Sequence, residues 1–237
     1  MNFFYLVRRL YAGLGRKNLW IDVGAGEGAF LASVEAKRRI GVEASPVARK
    51  ILAEKKLEVI GERQFLKSQG LGADVISFWH VLEHTDEPWE YLAAVWRNLR
   101  KGGRLIVGVP NIDSLEFDLF GRHWFHLAPS YHIWHFSLRS LKILLERQNF
   151  KIEMVDFWSV EHQLAGIIQT LVNWSSGTIN ILHRLVRRNA YMGSVPLAGW
   201  FWSFFFLSLG LPLVLFLWTC GSLSGRPGTI VVVAKKI

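Results

Sequence analysis

The feature that most constrains the fold is a short apolar stretch that runs directly into three closely spaced glycines. Residues 19–23 are apolar except for an aspartate, and Gly24, Gly26 and Gly28 follow before the apolar residues 29–31. This order predicts a buried strand, a tight loop and the first turn of a helix. Glycines let a backbone approach a ligand closely, so the loop indicates a small-molecule site, although an ordinary tight turn would show the same pattern.

Two acidic residues flank this loop at positions that suit a nucleoside. Asp22 precedes the first glycine by two residues, and Glu43 ends the next predicted strand, 15 residues after the last glycine. A carboxylate at that strand end can accept hydrogen bonds from both hydroxyls of a ribose. The spacing differs from the dinucleotide pattern Gly-x-Gly-x-x-Gly, but Ala29 completes a variant of it. The loop alone therefore leaves a dinucleotide and another nucleoside cofactor both open.

The rest of the chain alternates between predicted strands and helices. Further strands are predicted at residues 39–43, 57–60, 74–79, 105–109, 151–158 and 229–234. Helices are predicted at residues 3–14, 46–55, 88–100 and 137–148. Strands that alternate with helices favour the α/β class, with a mainly parallel sheet that is covered on both faces.

Three motifs resemble those of class I S-adenosylmethionine-dependent methyltransferases. They are residues 21–28 around the glycines, residues 74–84 along the fourth strand and residues 99–107 leading into the fifth. Residues 129–137 resemble a bacterial subgroup of O-methyltransferases that is often linked to quinone or cell-envelope metabolism. The resemblance runs in order over residues 19–160 and resumes at the last strand. It implies a seven-stranded Rossmann-like sheet whose last strand is antiparallel and lies between the fifth and the sixth.

The resemblance also implies S-adenosyl-L-methionine as the cofactor and assigns residues to it. By motif position, the glycines face the methionine part, Glu43 faces the ribose, and Asp22 supports the loop and the methionine amino group. Family members often read the adenine amine with an acidic residue after the third strand, and this chain offers Gln64 there as an acceptor. The full set of candidates is Asp22, Gly24, Ala25, Gly26, Gly28, Glu43, Gln64 and Trp79.

A cluster of histidines and a glutamate supplies the candidate chemistry. One helical turn would place His80, Glu83 and His84 on one face at the carboxyl edge of the sheet. Histidine titrates near neutral pH and can take a proton from an acceptor hydroxyl, so the candidate bases are His84, His132 and His135. The spacing also resembles a Glu-x-x-Glu-His metal motif of some O-methyltransferases, but His80 replaces its first glutamate. No metal is therefore expected. The weak candidates for metal ligands are His80, Glu83 and His84. A further interpretation is that the residues of this cluster only pair with one another structurally.

Charge divides the chain in two. Residues 1–161 contain 22 basic and all 19 acidic residues, whereas residues 162–237 contain six basic residues and no acidic one. Residues 189–225 form an uncharged run of 37 in which Trp, Phe and Leu are frequent. We therefore expect a methyltransferase domain of residues 1–161 plus 227–237 and a hydrophobic, amphipathic helical insertion of residues 162–226. The insertion is expected to associate with a membrane, and a buried helix pair is the alternative.

The insertion lies between two strands of one predicted sheet, so the chain must cross a membrane an even number of times or not at all. Gly210 and Pro212 divide its apolar run into parts too short for two spans, which favours an in-plane or re-entrant hairpin. Arg184, Arg187 and Arg188 would meet anionic headgroups. Because the excess positive charge lies beside this segment rather than beside the glycine loop, lipid is favoured over nucleic acid as the partner.

Together these patterns predict an enzyme associated with the inner, cytoplasmic face of a membrane, since the first residues do not resemble a secretory signal. The predicted reaction is methyl transfer from S-adenosyl-L-methionine to a hydroxyl group of a small-molecule or lipid-linked hydrophobic acceptor. The alternatives are C- or N-methylation of such an acceptor and a membrane-anchored protein that binds the cofactor without turnover.

Overall fold

The structure is a computed structural model that describes residues 3–177 and 197–237. These residues form two compact units. Unit 1 comprises the described residues up to Val109, together with Arg139–Val155 and Val231–Ile237. Unit 2 comprises Pro110–Leu138 and the described residues from Asp156 to Ile230. Unit 2 thus contains a segment after the fifth strand as well as the insertion, and the division expected at residues 162 and 226 stays a prediction.

Seven strands among the described residues form one sheet in the order β3-β2-β1-β4-β5-β7-β6. They are β1 (Lys17–Val23), β2 (Ala36–Val42), β3 (Glu58–Ile60), β4 (Ala73–Trp79), β5 (Leu99–Pro110), β6 (Phe150–Asp156) and β7 (Thr229–Lys236). The four neighbouring pairs β3–β2, β2–β1, β1–β4 and β4–β5 are parallel. The predicted α/β class and the predicted place of the last strand between the fifth and the sixth are both confirmed.

β7 runs in the opposite direction to β5. The backbone N–H of Asn111, just after β5, donates to the carbonyl oxygen of Gly228, just before β7. At the other end of the pair, Lys236 Nζ donates to the carbonyl oxygen of Leu99 at 2.8 Å. The beginning of one strand therefore lies beside the end of the other, as the family resemblance implies.

The strand register brings the candidate cofactor residues to one edge of the sheet. Val23, the last residue of β1, pairs with Val42 of β2 and with Phe78 of β4. Glu43, which follows β2, and Trp79, the last residue of β4, consequently lie at the same edge. The central strands β1 and β4 are buried along most of their length, which is typical of a parallel sheet covered on both faces.

Ten helices lie in the described part of the chain. They are α1 (Phe3–Leu10), α2 (Ala29–Ser33), α3 (Pro46–Glu54), α4 (Glu62–Lys67), α5 (Pro88–Asn98), α6 (Leu115–Phe120), α7 (Leu138–Arg147), α8 (Val160–Ser176), α9 (Leu197–Leu207) and α10 (Leu211–Leu223). α3 begins as its sequence predicts, because Ser45 accepts a hydrogen bond from the N–H of Ala48 and Pro46 occupies the first turn.

Unit 2 is built around α8. Its apolar side chains, including Leu171, form a core cluster with Phe206 of α9 and Val214 of α10. The same helix buries several polar side chains: Asn173 Nδ2 donates to the carbonyl oxygen of His123, for example. The segment predicted as one hydrophobic insertion therefore begins with a helix whose buried side is partly polar.

α9 and α10 are separated by a sharp bend of 69°. Gly210 makes the bend possible, because a Cβ there would lie 2.5 Å from Phe206 Cδ1. Among the described helices, none is individually long and apolar enough to cross a bilayer, whereas α9 and α10 reach that length and composition as a bent pair. The predicted basic face with Arg184, Arg187 and Arg188 falls outside the described residues.

Candidate active site

The glycine loop has the backbone conformation that its sequence predicts. Gly24, Gly26 and Gly28 have φ angles of 70°, 54° and 76°, which other residues adopt rarely. A Cβ on Gly24 would lie 2.3 Å from Val81 Cγ2, so this glycine is required by packing within unit 1. A Cβ on Gly26 would meet no atom within 4 Å, so the backbone here faces open space. Gly26 is therefore the point of the loop that a ligand can approach.

Glu43 connects the glycine loop to the turn that precedes α3. Its Oε2 accepts a hydrogen bond from the N–H of Gly26 at 2.8 Å, and its Oε1 accepts one from the N–H of Ser45 at 2.9 Å. Each carboxylate oxygen can accept a second hydrogen bond. The side chain is thus fixed beside the loop with acceptor capacity left, as the ribose assignment requires.

Asp22 is buried at the end of a hydrogen-bond chain that crosses β1 and β4. Trp20 Nε1 donates to Ser77 Oγ at 2.9 Å, and Ser77 Oγ donates to Asp22 Oδ1 at 2.6 Å. Burial raises the pKa of Asp22 to about 7, although the hydrogen bond from Ser77 and the charge of Arg8 lower it in part. The carboxyl group therefore changes its charge near neutral pH.

A cavity of about 650 Å³ lies beside the turn that contains Ala44. It is lined by Ala44, Arg49, Val59, Gly61, Glu62, Arg63 and Gln64. Gln64, the predicted adenine contact, is exposed at this cavity. The sequence analysis missed Glu62, which accepts a hydrogen bond from the hydroxyl of Tyr91. Its signal was its position as the first residue of α4, two residues after β3.

Glu62 is also electrostatically connected to the ribose candidate. Burial raises the pKa of Glu62, and the negative charges of Glu43 and Asp86 raise it further. An acidic side chain in this cavity is the kind of group that reads an adenine amine in the resembled family. Glu62 is therefore a second adenine candidate in the same cavity as Gln64.

The other two cofactor candidates, Ala25 and Trp79, both contact neighbouring residues of unit 1. The N–H of Ala25 donates to the carbonyl oxygen of Val42 at 3.1 Å, which keeps the loop close to β2. The ring of Trp79 packs edge-on against Phe30, with 5.8 Å between ring centroids, and the guanidinium of Arg8 lies 4.7 Å from its centroid. A direct cofactor contact of Trp79 stays a prediction.

His80, Glu83 and His84 follow the end of β4. His80 has a φ of 55°, and a single 3₁₀ turn, Leu82–His84, comes next. This geometry places His80 Nδ1 3.2 Å from Glu83 Oε1, while His84 is exposed. Burial by itself would raise the pKa of Glu83, yet the hydrogen bond and charge of His80 hold it below its usual value. Glu83 is only 1% exposed, and the expectation that no metal binds here stays a prediction.

His132 and His135, the other candidate bases, lie together in unit 2 with 6.3 Å between their ring centroids. His132 Nδ1 lies 2.7 Å from the carbonyl oxygen of His126, and His135 Nε2 lies 2.8 Å from that of Leu127. A carbonyl oxygen can only accept, so in the neutral rings these nitrogens carry the proton. The lone pair is then on Nε2 of His132 and on Nδ1 of His135, which is the form that a general base needs.

Unit 2 also contains a buried acidic residue that the sequence analysis missed. Glu116 lies on α6, and a Cβ on Gly228 would be 2.2 Å from its Oε1. Burial raises the pKa of Glu116 to about 8, and a hydrogen bond from Trp124 lowers it in part. The group is therefore mostly protonated at neutral pH. No local pattern distinguishes this glutamate from an exposed one.

Comparison with known proteins identifies the class. Residues 4–155, more than half of the chain, match the family described as Methyltransferase domain, and the chain belongs to this family. A search of curated proteins gives no sequence match. The fold, the family and the solved relatives together define a class I S-adenosylmethionine-dependent methyltransferase, with S-adenosyl-L-methionine as its cofactor.

Three solved structures illustrate the likeness. A methyltransferase from Thermotoga maritima, described as a possible histamine N-methyltransferase, is 18% identical with a TM-score of 0.60, over 99% of this chain and 90% of that one. A methyltransferase from Archaeoglobus fulgidus is 20% identical with a TM-score of 0.57, over 98% and 91%. Phosphoethanolamine N-methyltransferase 2 of Haemonchus contortus, solved with S-adenosyl-L-methionine, is 11% identical with a TM-score of 0.59, over 98% and 52%.

Proposed function

We propose that this methyltransferase methylates a hydroxyl group on a hydrophobic or lipid-linked acceptor at the cytoplasmic surface of a membrane. The proposal includes the quinone and cell-envelope subgroup that residues 129–137 resemble. The observation that carries it is a set of large apolar side chains on α9 and α10 that are exposed to solvent.

The exposed apolar side chains of α9 recur every three or four residues and so share one side of that helix, whereas those of α10 lie on more than one side of it. Together with Leu209 in the bend they form the outer apolar face, which consists of Leu197, Trp200, Phe201, Phe204, Leu207, Leu209, Leu211, Leu213, Leu215, Phe216 and Leu223. Phe204 is 75% exposed and Leu209 is 78% exposed, so these are not edges of a core. The buried side chains of the same helices, such as Phe206, pack on α8 instead.

A bilayer is the partner that this face fits best. Soluble monomers rarely expose so large a contiguous apolar surface. Full burial of one large apolar side chain contributes about 1.5–3 kcal/mol, so partial insertion of several Phe and Leu side chains gives firm attachment. Since β6 and β7 are neighbours in one sheet, the chain between them must leave and re-enter the sheet on the same side of a bilayer. The bent pair therefore supports attachment from one face.

The residues around the glycine loop fit the cofactor. Gly26 opens to free space, Glu43 retains acceptor capacity for the ribose hydroxyls, and Glu62 and Gln64 line the neighbouring cavity. Asp22, in its ionised form, would attract the methionine ammonium. Bound S-adenosyl-L-methionine supplies an activated methyl group on its sulfonium, so the protein mainly aligns the two reactants and moves a proton.

His132 is the base we favour for that proton. Its Nδ1 is held by a backbone carbonyl, which fixes the ring and keeps the lone pair on Nε2. His135 has the equivalent arrangement with its nitrogens reversed, but it is exposed, whereas His132 is half-buried. His84 remains the third candidate, on the turn after β4.

N-methylation is the second candidate reaction. Two of the solved relatives are described as N-methyltransferases, one for phosphoethanolamine and one possibly for histamine. An amine acceptor needs its own lone pair rather than deprotonation by a strong base. Mass spectrometry of membrane extracts from cells with and without the protein distinguishes the cases, because fragmentation assigns the added methyl group to oxygen, nitrogen or carbon. A membrane extract without any methylated difference would contradict the proposal.

Flotation with liposomes tests the membrane surface. We expect the intact chain to float with anionic liposomes and to resist release by salt, because screening affects only charged contacts. Changing Phe201, Phe204 and Phe216 together to Ser should lower partitioning at least tenfold. Ile143→Ser, at an exposed apolar position of α7, is the matched control and should float normally.

Two results would overturn the membrane proposal. Equal flotation of the triple variant would show that the outer apolar face does not bind lipid. A stable dimer that the triple variant abolishes, together with absence of flotation, would assign the face to a second copy of the chain.

A further inference from the structure

A second cavity lies in unit 1 at the edge of the sheet opposite to the glycine loop. Its volume is about 880 Å³, and it is lined by the first residues of β5 and β6, the last residues of β7 and the end of α1. The glycine loop follows the carboxyl end of β1, which is parallel to β4, and β4 is parallel to β5. The beginning of β5 therefore marks the other edge, and this cavity is separate from the candidate cofactor site.

This second cavity, called the basic cavity below, carries a surplus of positive charge. Its charged side chains among the described residues are Lys101, Arg104, Lys151, Lys235 and Lys236, against the single carboxylate of Glu153. Glu153 is shared, with Oε2 2.9 Å from Arg104 Nε and Oε1 3.7 Å from Lys235 Nζ. The described part of the chain offers no acidic partner to Lys101 or Lys151.

The crowding of cations extends beyond the lining. Burial lowers the pKa of Lys17, and the charges of Arg104 and Arg100 lower it further, against the opposing charge of Asp74. Like charges held close together repel one another, and a bound anion would relieve that repulsion. The edge of the sheet thus offers more cations than the protein's own carboxylates neutralise.

The lining also includes apolar side chains that are open to solvent. Leu10 is 56% exposed and Met154 is 40% exposed, and both line the cavity together with Tyr11 and Ile152. A simple inorganic anion would use only the cations. A ligand that joins an anionic group to a hydrocarbon portion would use both parts of the lining.

We propose that the basic cavity binds a phosphorylated amphiphile, with its phosphate on Lys101 and Lys151 and its hydrocarbon portion on Leu10 and Met154. Arg and Lys are the usual partners of phosphate, and charge-assisted bonds to it are the strong ones. The inference goes beyond methyl transfer and does not depend on the acceptor or on the outer apolar face. It gives the protein a second, anionic-lipid ligand at a distance from the chemistry.

Calorimetry on the intact chain with three short-chain probes below their micelle concentrations tests the chemistry of the ligand. The probes are dihexanoyl phosphatidic acid, glycerol phosphate and dihexanoyl phosphatidylcholine. We expect the phosphatidic acid to bind at least tenfold more tightly than either of the others, because only it offers an exposed phosphate together with acyl chains. Glycerol phosphate binding with equal affinity would show a soluble phosphate site and overturn the amphiphile.

Variants then place the ligand in the cavity. Replacing Lys101 and Lys151 together by Gln removes two exposed, unpaired cations and should weaken binding roughly threefold to tenfold. Glu153→Gln should have the opposite effect and tighten binding severalfold, because it removes the competing carboxylate. Lys67→Gln, an exposed lysine on α4 outside the cavity, is the matched control and should leave binding unchanged.

The remaining outcomes distinguish a failure of this binding site from a failure of the membrane proposal. The triple serine variant of the outer apolar face should bind the short-chain phosphatidic acid normally, so a failure of flotation leaves this inference intact. Unchanged affinity in both the double lysine variant and Glu153→Gln would overturn it. Displacement of the lipid by a short single-stranded RNA of higher affinity would assign the surface to nucleic acid and overturn it as well.

Discussion

The two units depart from ordinary protein burial in opposite ways. Unit 1 buries the carboxyl groups of Asp22 and Glu83 near the carboxyl edge of its sheet, and it buries Asn98 near the other edge. Unit 2 buries polar side chains such as Gln169 on α8 while it exposes large apolar ones such as Phe204 on α9. Departures of this kind usually mark function rather than folding. We propose that those at the carboxyl edge of unit 1 mark the cofactor site and that the exposed apolar side chains of unit 2 mark a membrane surface.

The largest expected effect tests whether unit 2 takes part in the chemistry or serves attachment alone. His132→Gln should lower kcat about 10²–10⁴-fold while the affinity for S-adenosylhomocysteine stays unchanged, because a general base acts in the transition state. Turnover with labelled cofactor is the measurement, and His123→Gln is the control. A normal kcat for His132→Gln, with a large loss for His84→Gln, would place the base in unit 1 instead.

Next in size is the contribution of the acidic edge of unit 1 to cofactor binding. Glu43→Ala should weaken binding of S-adenosylhomocysteine roughly tenfold to a hundredfold, because a hydrogen bond to a charged group contributes about 1.5–3 kcal/mol. Calorimetry measures the change, and Glu54→Ala on α3 is the matched control. Since Glu43 also holds the N–H of Gly26, the melting temperature of the variant should be recorded. Unaltered affinity in the folded variant would remove Glu43 from the site.

A smaller, pH-dependent effect is expected from Asp22. Its pKa of about 7 means that the carboxylate is lost as the pH falls below neutral, and the ionised form is the one that attracts the methionine ammonium. Affinity for S-adenosylhomocysteine should therefore fall by up to about tenfold per pH unit between pH 7 and pH 5. Asp22→Asn should bind more weakly at pH 8 and show a flatter profile. A flat profile in the unaltered chain would show that Asp22 does not face the amino group.

The last expected effect concerns the stability of unit 2 rather than its activity. Burial raises the pKa of Glu116 to about 8 in the folded state from an ordinary value of 4.5. Between these values the unfolded chain loses a proton that the folded chain keeps, so stability falls as the pH rises, by at most about 1.4 kcal/mol per pH unit. Glu116→Gln should flatten this dependence in urea unfolding between pH 5 and pH 8. Asp118→Asn, at an exposed position of the same helix, should retain the slope.

The sequence was sufficient for the sheet and for the glycine loop, because both depend on local patterns. Strand alternation and the positions of Gly24 and Gly26 each follow from residues close together in the chain. The burial of Glu116 and the pairing of Glu83 with His80 depend on packing between distant segments, which no local pattern records. Glu62 lies between these cases, since its position after β3 was visible but its neighbour Tyr91 was not. Which nitrogen of the neutral His132 ring carries the proton likewise depends on the position of the carbonyl oxygen of His126, which the sequence does not show.

The position of α8, α9 and α10 between two neighbouring strands has a consequence for how the protein can change. The ends of a connection between adjacent strands are held about 5 Å apart whatever its length. Each doubling of such a connection costs only about 0.6 kcal/mol of closure entropy. The whole segment between β6 and β7 can consequently be shortened, extended or exchanged by recombination without a change in the sheet register. If the insertion selects the surface as we propose, one sheet can in this way be directed to new surfaces by replacing a single continuous stretch of its gene.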